Sequence, residues 1–278
     1  MHLKIKITSR AYVSALLLLA SLSAHAELTA YHSSNVGLVY SSVSDVTWTK
    51  DANLLGSMIK SRGFNTLINE IIAASPIITN TPNQFSPTGD YALTSADFSA
   101  IKAGHATWFG AMAFTSYLNS INYGGAANWR LPFIATTTFG YDQPTNGVNA
   151  GDEYHELFYR ELHHVEGSPW EPYIPPQPTI YFDNEELRDA YWTSTENGYD
   201  WPAFGVFNGP QSAFIFITEL AAQGITFKNF LISTPTDSIG NYVWAVSPGR
   251  IAVVPEPDRL VMLFAGLGLL AIAKRRTQ

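Results

Sequence analysis

The chain has 278 residues, a formal net charge of −7 and no cysteine; 14% of its residues are charged and 46% are hydrophobic. Without cysteine, disulfide-stapled scaffolds, cysteine nucleophiles and Cys-based zinc sites are excluded. The acidic balance argues against nucleic acid as a partner, because phosphate backbones are bound through clustered Lys and Arg.

The N-terminus has the parts of a secretory leader. Three basic residues come first: Lys4, Lys6 and Arg10. An apolar stretch follows over residues 12–22, and the small residues Ala24 and Ala26 form an A-x-A cleavage site. This order predicts a signal peptide over residues 1–26, which signal peptidase removes so that the mature chain begins at Glu27.

The first half of the body alternates strand and helix patterns. These are strands over 37–40 and 43–48, a helix start at 49–55, and helices over 64–74 and 107–121, the last with a single apolar stripe that includes Ile121. Asp51 is placed to cap the helix that follows it. Pro and Gly make residues 75–92 a loop, residues 94–97 resemble a helix N-cap, and residues 128–132 are predicted to be extended.

The second half begins with a predicted helix over residues 152–165. The acids at its N-terminus, Asp152 and Glu153, favour the helix by complementing its dipole. Five prolines make residues 167–178 an exposed loop. Six short strands are then predicted, over 179–182, 191–195, 203–207, 213–217, 242–246 and 250–254. Helices that come early and strands that cluster late predict an α+β fold with two main helices and short antiparallel strands.

The C-terminus also has three parts. A Pro-Glu-Pro element at Pro255, Glu256 and Pro257 precedes an uncharged apolar segment over residues 260–273, and a basic end follows. As a helix the apolar segment is about 21 Å long at 1.5 Å per residue. A bilayer core of roughly 30 Å is longer, so flanking basic side chains must reach outward if this single apolar helix spans it.

This tail resembles the PEP-CTERM sorting signal of Gram-negative bacteria over residues 254–278. The residues that match are Pro255, Glu256, Pro257, the Gly266–Leu270 run, Arg275 and Arg276. The resemblance implies recognition by an exosortase, removal of the tail, and delivery to the cell surface or the exopolysaccharide matrix. The alternative is a plain C-terminal anchor that is never processed.

The two ends carry six basic residues that leave with them, namely Lys4, Lys6, Arg10, Lys274, Arg275 and Arg276. Residues 27–273 then keep 10 basic against 23 acidic side chains, a net charge of −13. Such a body disfavours polyanionic partners and is compatible with neutral sugars or divalent cations.

Four pieces of residues 27–253 together resemble an extracellular bacterial family of unknown function that is related to the Lcl C-terminal domain. They lie at 37–40 with 48–53, at 108–132, at 191–196 and at 242–249. They include Trp48, Asp51, Asn53, Trp129, Arg130, Pro132, Trp192, Glu196 and Trp244. The resemblance implies a C-type-lectin-like fold, and some members are linked to adhesion.

The chain departs from that family in several places. Residues 60–93 and 166–180 have the character of insertions, and Ser247 stands where the family commonly has Arg. The Glu-Pro-Asn and Trp-Asn-Asp motifs of true C-type lectins are absent. Sugar binding therefore does not follow from the fold resemblance.

The shared tryptophans and Arg130 have two interpretations. They form either an aromatic sugar platform or core packing in which a buried carboxylate holds Arg130, and apolar neighbours favour the core. Glu196 and Asp51 are the candidate carboxylates.

One helix face has the residues of a metal site, since Asp152, His155 and Glu156 are spaced i, i+3 and i+4. The second His of H-E-x-x-H is missing, which favours a solvated acidic face instead. No metal or other cofactor is expected, and calcium alone is left open.

An exposed loop supplies the candidate contact surface. It carries Trp170, Glu171 and Tyr173 between prolines, and exposed aromatic side chains on loops commonly contact partners. An inert insertion is the alternative.

These observations predict a non-catalytic cell-surface or matrix protein that is secreted through the inner membrane and transiently anchored by its C-terminal helix. Its expected partners are exopolysaccharide or other surface proteins of a biofilm. No catalytic residue is assigned, because no G-x-S-x-G element is present. An envelope carbohydrate-active enzyme that uses paired carboxylates is the alternative.

Overall fold

A computed structural model describes residues 27–81, 89–134, 152–162, 178–196, 212–219, 222–228, 232–233, 238–239 and 241–253. The predicted signal peptide, the sorting signal with its apolar segment, the proline-rich loop and the strand predicted over 203–207 lie outside these ranges. Among the described residues, no helix has both the length and the apolar character needed to cross a bilayer.

The first sheet joins the two ends of the body. Its strands follow the order β1-β2-β3-β13 and pair antiparallel throughout; they are β1 Leu28–Ser33, β2 Val36–Ser41, β3 Val46–Thr49 and β13 Val246–Pro248. The Ser33 hydroxyl donates to the Ala252 carbonyl at 3.1 Å. The N-terminal strand and the last described residues therefore lie together.

The second sheet has the order β6-β12-β7-β8-β9. Its strands are β6 His105–Ala106, β7 Ala190–Glu196, β8 Ser212–Ile217, β9 Ala222–Phe227 and β12 Asn241–Tyr242. Only the β12–β7 pair is parallel. Two small antiparallel pairs complete the strands: β4 Ile77–Ile78 with β5 Tyr91–Ala92, and β10 Ile232–Ser233 with β11 Ser238–Ile239.

The helices come mostly before the second sheet. They are α1 Leu54–Arg62, α2 Phe64–Ala74, α3 Trp108–Ser120 and α4 Glu153–His155, with short 3-10 turns at Ser95–Asp97 and Tyr123–Gly125. The first 3-10 turn has the predicted capping box between Thr94 and Asp97. After α4 the chain continues as a π-helix over Glu156–Glu161, in which the Leu162 N–H donates to the Leu157 carbonyl. The mixture of helices and antiparallel sheets confirms the α+β class.

Several predicted elements differ from the observed ones. Asn53, not Asp51, caps α1, because its side chain accepts from the Gly56 N–H. Residues 179–182 form a turn, since the Thr179 hydroxyl accepts from the N–H groups of Tyr181 and Phe182. Residues 250–253 are not a strand either, because the Ile251 N–H is taken by the Thr47 side chain.

Two further elements are corrected. Residues 242–246 do not form one strand, because the chain passes there from the second sheet to the first. Helix α3 is buried on most of its circumference, so its predicted single stripe is wrong; Ile121, placed in that stripe, is 44% exposed just after the helix ends.

The core has two parts. One surrounds α3 and includes Leu67, Ile68, Trp108 and Trp192. The other lies between the sheets and is aromatic, with Trp48, Tyr154, Tyr191, Phe216 and Trp244. Tyr154 stacks on Phe216 with ring centroids 4.8 Å apart, and Trp48 meets Trp244 edge-on at 4.9 Å. Tyr154 also packs against Trp48, with ring centroids 5.3 Å apart, so it attaches α4 to both sheets.

Candidate functional site

Three tryptophans of the family motif are core residues. Trp129, Trp192 and Trp244 are each at most 2% exposed. Their indole N–H groups donate to backbone carbonyls of Tyr123, Ala106 and Thr49 at 2.9, 2.8 and 3.0 Å. Each tryptophan therefore connects two segments of the chain through a hydrogen bond. None of the three rings is exposed as a platform for sugar binding.

Arg130 is paired with Glu153 and not with Glu196 or Asp51, the predicted carboxylates. The Glu153 carboxylate accepts from both Nη atoms of Arg130, with Nη1 to Oε2 at 2.8 Å, and from the Phe133 N–H at 2.8 Å. Glu153 is 5% exposed, so the predicted partner type, a buried carboxylate, is correct. The fork-shaped pair fixes residues 129–134 against α4.

Glu196 has a different partner. Its carboxylate accepts from Lys228 Nζ, and the same ammonium group lies 4.8 Å from the centre of the Trp108 ring. Burial lowers the pKa of Lys228, while Glu196 opposes that change. This contact joins β7 to the end of β9.

Asp51 and Asn53 organise the turn that enters α1. The Asp51 carboxylate accepts from the Asn53 N–H at 3.0 Å, and the Asn53 amide donates to Glu186 at 3.2 Å. Gly104 lies directly against this amide, since a Cβ atom there would stand 1.9 Å from Asn53 Oδ1. Pro132, the remaining motif residue, is buried and its carbonyl accepts from the Ser194 N–H at 2.8 Å.

The acidic helix face is not solvated, contrary to the prediction. Asp152, Glu156 and Glu161 are 0%, 7% and 9% exposed. Asp152 caps the helix by accepting from the His155 N–H, and its second oxygen lies 2.7 Å from His155 Nδ1. Within the described ranges, no three His, Asp or Glu side chains are placed to hold a metal ion together.

The carboxylate of Glu161, on this face, has a perturbed pKa. Burial raises the pKa of Glu161 to about 7. The Ser41 hydroxyl and the N–H groups of Val43 and Ser42 have the opposite, smaller effect and lower the pKa. The Glu156 carboxylate adds to the increase. The π-helix explains this neighbour, because i and i+5 residues lie on one face when hydrogen bonds run from i to i+5.

A further charged cluster was not predicted. Asp189 accepts from Lys102 Nζ, and one of its oxygens lies 3.7 Å from Nε2 of the fully buried His105. Burial alone would raise the pKa of Asp189, but His105 and Lys102 bring it below the ordinary value. The sequence gives no signal for this cluster, since the partners are more than 80 residues apart.

Two features of the described surface are suited to contact. The Arg250 guanidinium is exposed and lies 5.3 and 5.7 Å from the ring centres of Tyr31 and Tyr40. The second feature is an open groove of about 410 Å³, which is lined by Asn128, Ser247, Pro248 and Ile251, among others.

The remaining predicted residues lie outside the described ranges. They are Ala24 and Ala26 of the leader, Trp170, Glu171 and Tyr173 of the contact loop, and Pro255, Glu256, Pro257, Arg275 and Arg276 of the tail. Comparison with known protein families, curated proteins and solved structures found no match to this chain.

Proposed function

We propose that this chain is an exported cell-surface or matrix protein whose body, residues 27–253, is a non-catalytic binding module with a C-type-lectin-like fold. One observation supports the module most directly. The polar groups of its motif residues are used in internal contacts: three indole N–H groups donate to backbone carbonyls, and Arg130 pairs with Glu153. Side chains whose polar groups are engaged internally stabilise the fold. Recognition of a partner is then left to surface loops.

The route of export is part of the same proposal. Signal peptidase removes residues 1–26, and an exosortase recognises the Pro-Glu-Pro tail and removes the apolar segment. β1 and β13 belong to one sheet, which supports treating residues 27–253 as one body between leader and tail. Exopolysaccharide or another surface protein is the proposed partner.

A pull-down tests the binding function. The purified protein is incubated with exopolysaccharide from its own biofilm, beside a variant that lacks residues 168–178 and an Arg250→Ala variant. We expect the wild type to co-sediment and at least one variant to lose binding while keeping its melting temperature. No co-sedimentation by the wild type, with glycans or with surface proteins, would contradict the binding module.

The localisation has its own test. A Glu256→Ala change in the tail is expected to retain the protein in the inner membrane, since the proposed exosortase no longer recognises it. Surface proteolysis of intact cells reports the outcome. Equal exposure of wild type and variant would show that the tail is not a sorting signal.

An envelope carbohydrate-active enzyme is the second candidate. It is favoured by Glu161, because a carboxyl group with a pKa of about 7 is still partly protonated at neutral pH, as a general acid must be. Release of reducing ends from the bound polysaccharide by the wild type, and not by Glu161→Gln, would favour the enzyme over the binding module.

A further inference from the structure

The Glu161 carboxylate is buried where the π-helix ends, against the turn between β2 and β3. Neither of its oxygens has a hydrogen-bond partner of good geometry. Within the described residues, no Lys, Arg or His nitrogen lies within 4 Å of it. A buried carboxylate without a cation is costly, so proteins pair such groups or keep them protonated.

The backbone nitrogen of Glu27 lies at the same turn. It donates to the Ser42 hydroxyl at 3.0 Å, and the Ser42 N–H donates back to the Glu27 carbonyl at 3.3 Å. The N–H groups of Ser42 and Val43 also act on the Glu161 carboxylate. Ser42 is therefore a shared neighbour of the Glu27 nitrogen and the Glu161 carboxylate.

Removal of the leader changes the chemistry of this nitrogen. In the precursor it is a neutral amide of the Ala26–Glu27 bond. After cleavage it is an α-amino group with an ordinary pKa of about 7.7–8.0, so it is largely protonated at neutral pH. Hydrolysis thus creates a cation at the turn that covers a buried carboxylate, for which the described residues supply no other cation.

We propose that the α-ammonium group of mature Glu27 pairs with the Glu161 carboxylate and locks the π-helix against the β2–β3 turn. Cleavage then stabilises the exported protein and leaves the precursor less tightly folded. The inference rests on the proposed function only for the time of cleavage, since the pairing itself depends on the folded body alone.

Other charged groups near this turn do not supply the missing cation. Glu156, on the same helix, is a further carboxylate, and it raises the pKa of Glu161. Tyr40 donates its hydroxyl hydrogen to Asp45 at 2.8 Å. Arg250 lies over the Tyr40 ring, and within the described residues no carboxylate oxygen is within 4 Å of its guanidinium nitrogens.

The pH dependence follows from the two protonation equilibria. Without a nearby cation, Glu161 has a folded-state pKa of about 7 against an ordinary value of 4.5, so the folded protein loses stability as pH rises from 4.5 to 7. A paired ammonium group lowers the Glu161 pKa and reduces this loss. The benefit disappears again above the pKa of the amine, when the ammonium group deprotonates.

The test compares two chains that end at Gln278 and are kept in the same detergent: one begins at Glu27, the other at Ala26. The Ala26 chain has the same charge, but its ammonium group is displaced by one residue, about 3.8 Å. At pH 7 we expect the Glu27 chain to melt about 2 to 4 °C higher, and at pH 5 the difference should be smaller. In a Glu161→Gln background, the two chains should have the same melting temperature at both pH values.

A second measurement covers the case in which Glu161→Gln fails to fold. The α-amino pKa of Glu27 is followed by the pH dependence of its acylation rate, and pairing should raise it above the ordinary range. Any of three results would overturn the proposed ion pair. The Glu27 and Ala26 chains could have equal melting temperatures, the difference between them could persist in the Glu161→Gln background, or the pKa of the Glu27 amine could be unshifted. Sequencing the N-terminus of the exported protein tests the cleavage separately.

Discussion

Arg130 and Glu153 form a two-point ion pair across 23 residues of sequence, with Arg130 Nη1 lying 2.8 Å from Glu153 Oε2. The carboxylate is buried, whereas the arginine side chain is 36% exposed. This pair joins the segment after Trp129 to α4. It therefore holds the helical segment 152–161, which carries four buried acids.

Removal of Arg130 should be destabilising. Arg130→Ala leaves the buried Glu153 carboxylate without its cation, which costs roughly 3–5 kcal/mol in a fully buried pair. Because Arg130 is partly exposed, we expect about 2–3 kcal/mol in urea unfolding. Lys60→Ala, at an exposed helix position, serves as the control. An unchanged free energy of unfolding in Arg130→Ala would contradict the structural role of the pair.

Gly104 and Gly63 make a matched pair of glycines. Both have a positive φ, +103° and +85°, but only Gly104 lies against another side chain, that of Asn53. Gly63→Ala should cost about 1 kcal/mol of backbone strain. Gly104→Ala must also displace the Asn53 cap, worth about 1 kcal/mol more, so it should melt lower. Similar melting temperatures for the two variants would mean that Asn53 can move without cost.

Trp244 and Trp48 are in contact and almost fully buried, yet only the Trp244 indole N–H has an acceptor. Trp→Phe removes similar volume at each position. Trp244→Phe also loses the hydrogen bond to Thr49, so it should cost about 1 kcal/mol more than Trp48→Phe. The comparison is made by denaturant unfolding, and a larger loss for Trp48→Phe would contradict it.

Asp189 should contribute to stability in a pH-dependent way. The pKa of its carboxyl is lowered in the folded state, against an ordinary value of 3.8, so its contribution is present above pH 3.8 and is lost as pH falls through the folded-state pKa. The difference in unfolding free energy between wild type and Asp189→Asn should therefore shrink towards pH 3. Asp90→Asn, at an exposed position, should show no such change. A difference that stays constant with pH would exclude the ion cluster as its source.

The local patterns of the chain were readable because their causes are local. The apolar spacing over residues 64–74 matches α2, and the capping box at Thr94 and Asp97 needs only four consecutive residues. Residues 179–182 misled the prediction, because a side-chain hydroxyl at Thr179 competes for the backbone N–H groups that a strand would use.

Burial of the acidic helix could not be read from its sequence. Acids at this density usually face water, and here Asp152, Glu153, Glu156 and Glu161 all lie inside. The choice of Glu153 as the partner of Arg130 depends on how α4 meets the segment after Trp129. The cluster of Lys102, His105 and Asp189 similarly depends on how the loop before β7 meets β6.

The sequence by itself determined the helix and turn signals and the acidic cysteine-free composition, because these depend only on the chain and its local neighbours. The leader and the tail stay predictions from the same local patterns. Only the tertiary structure decided which charges are buried and which partners they have. The physical reason is that desolvation and ion pairing act through space, over distances that sequence separation does not measure.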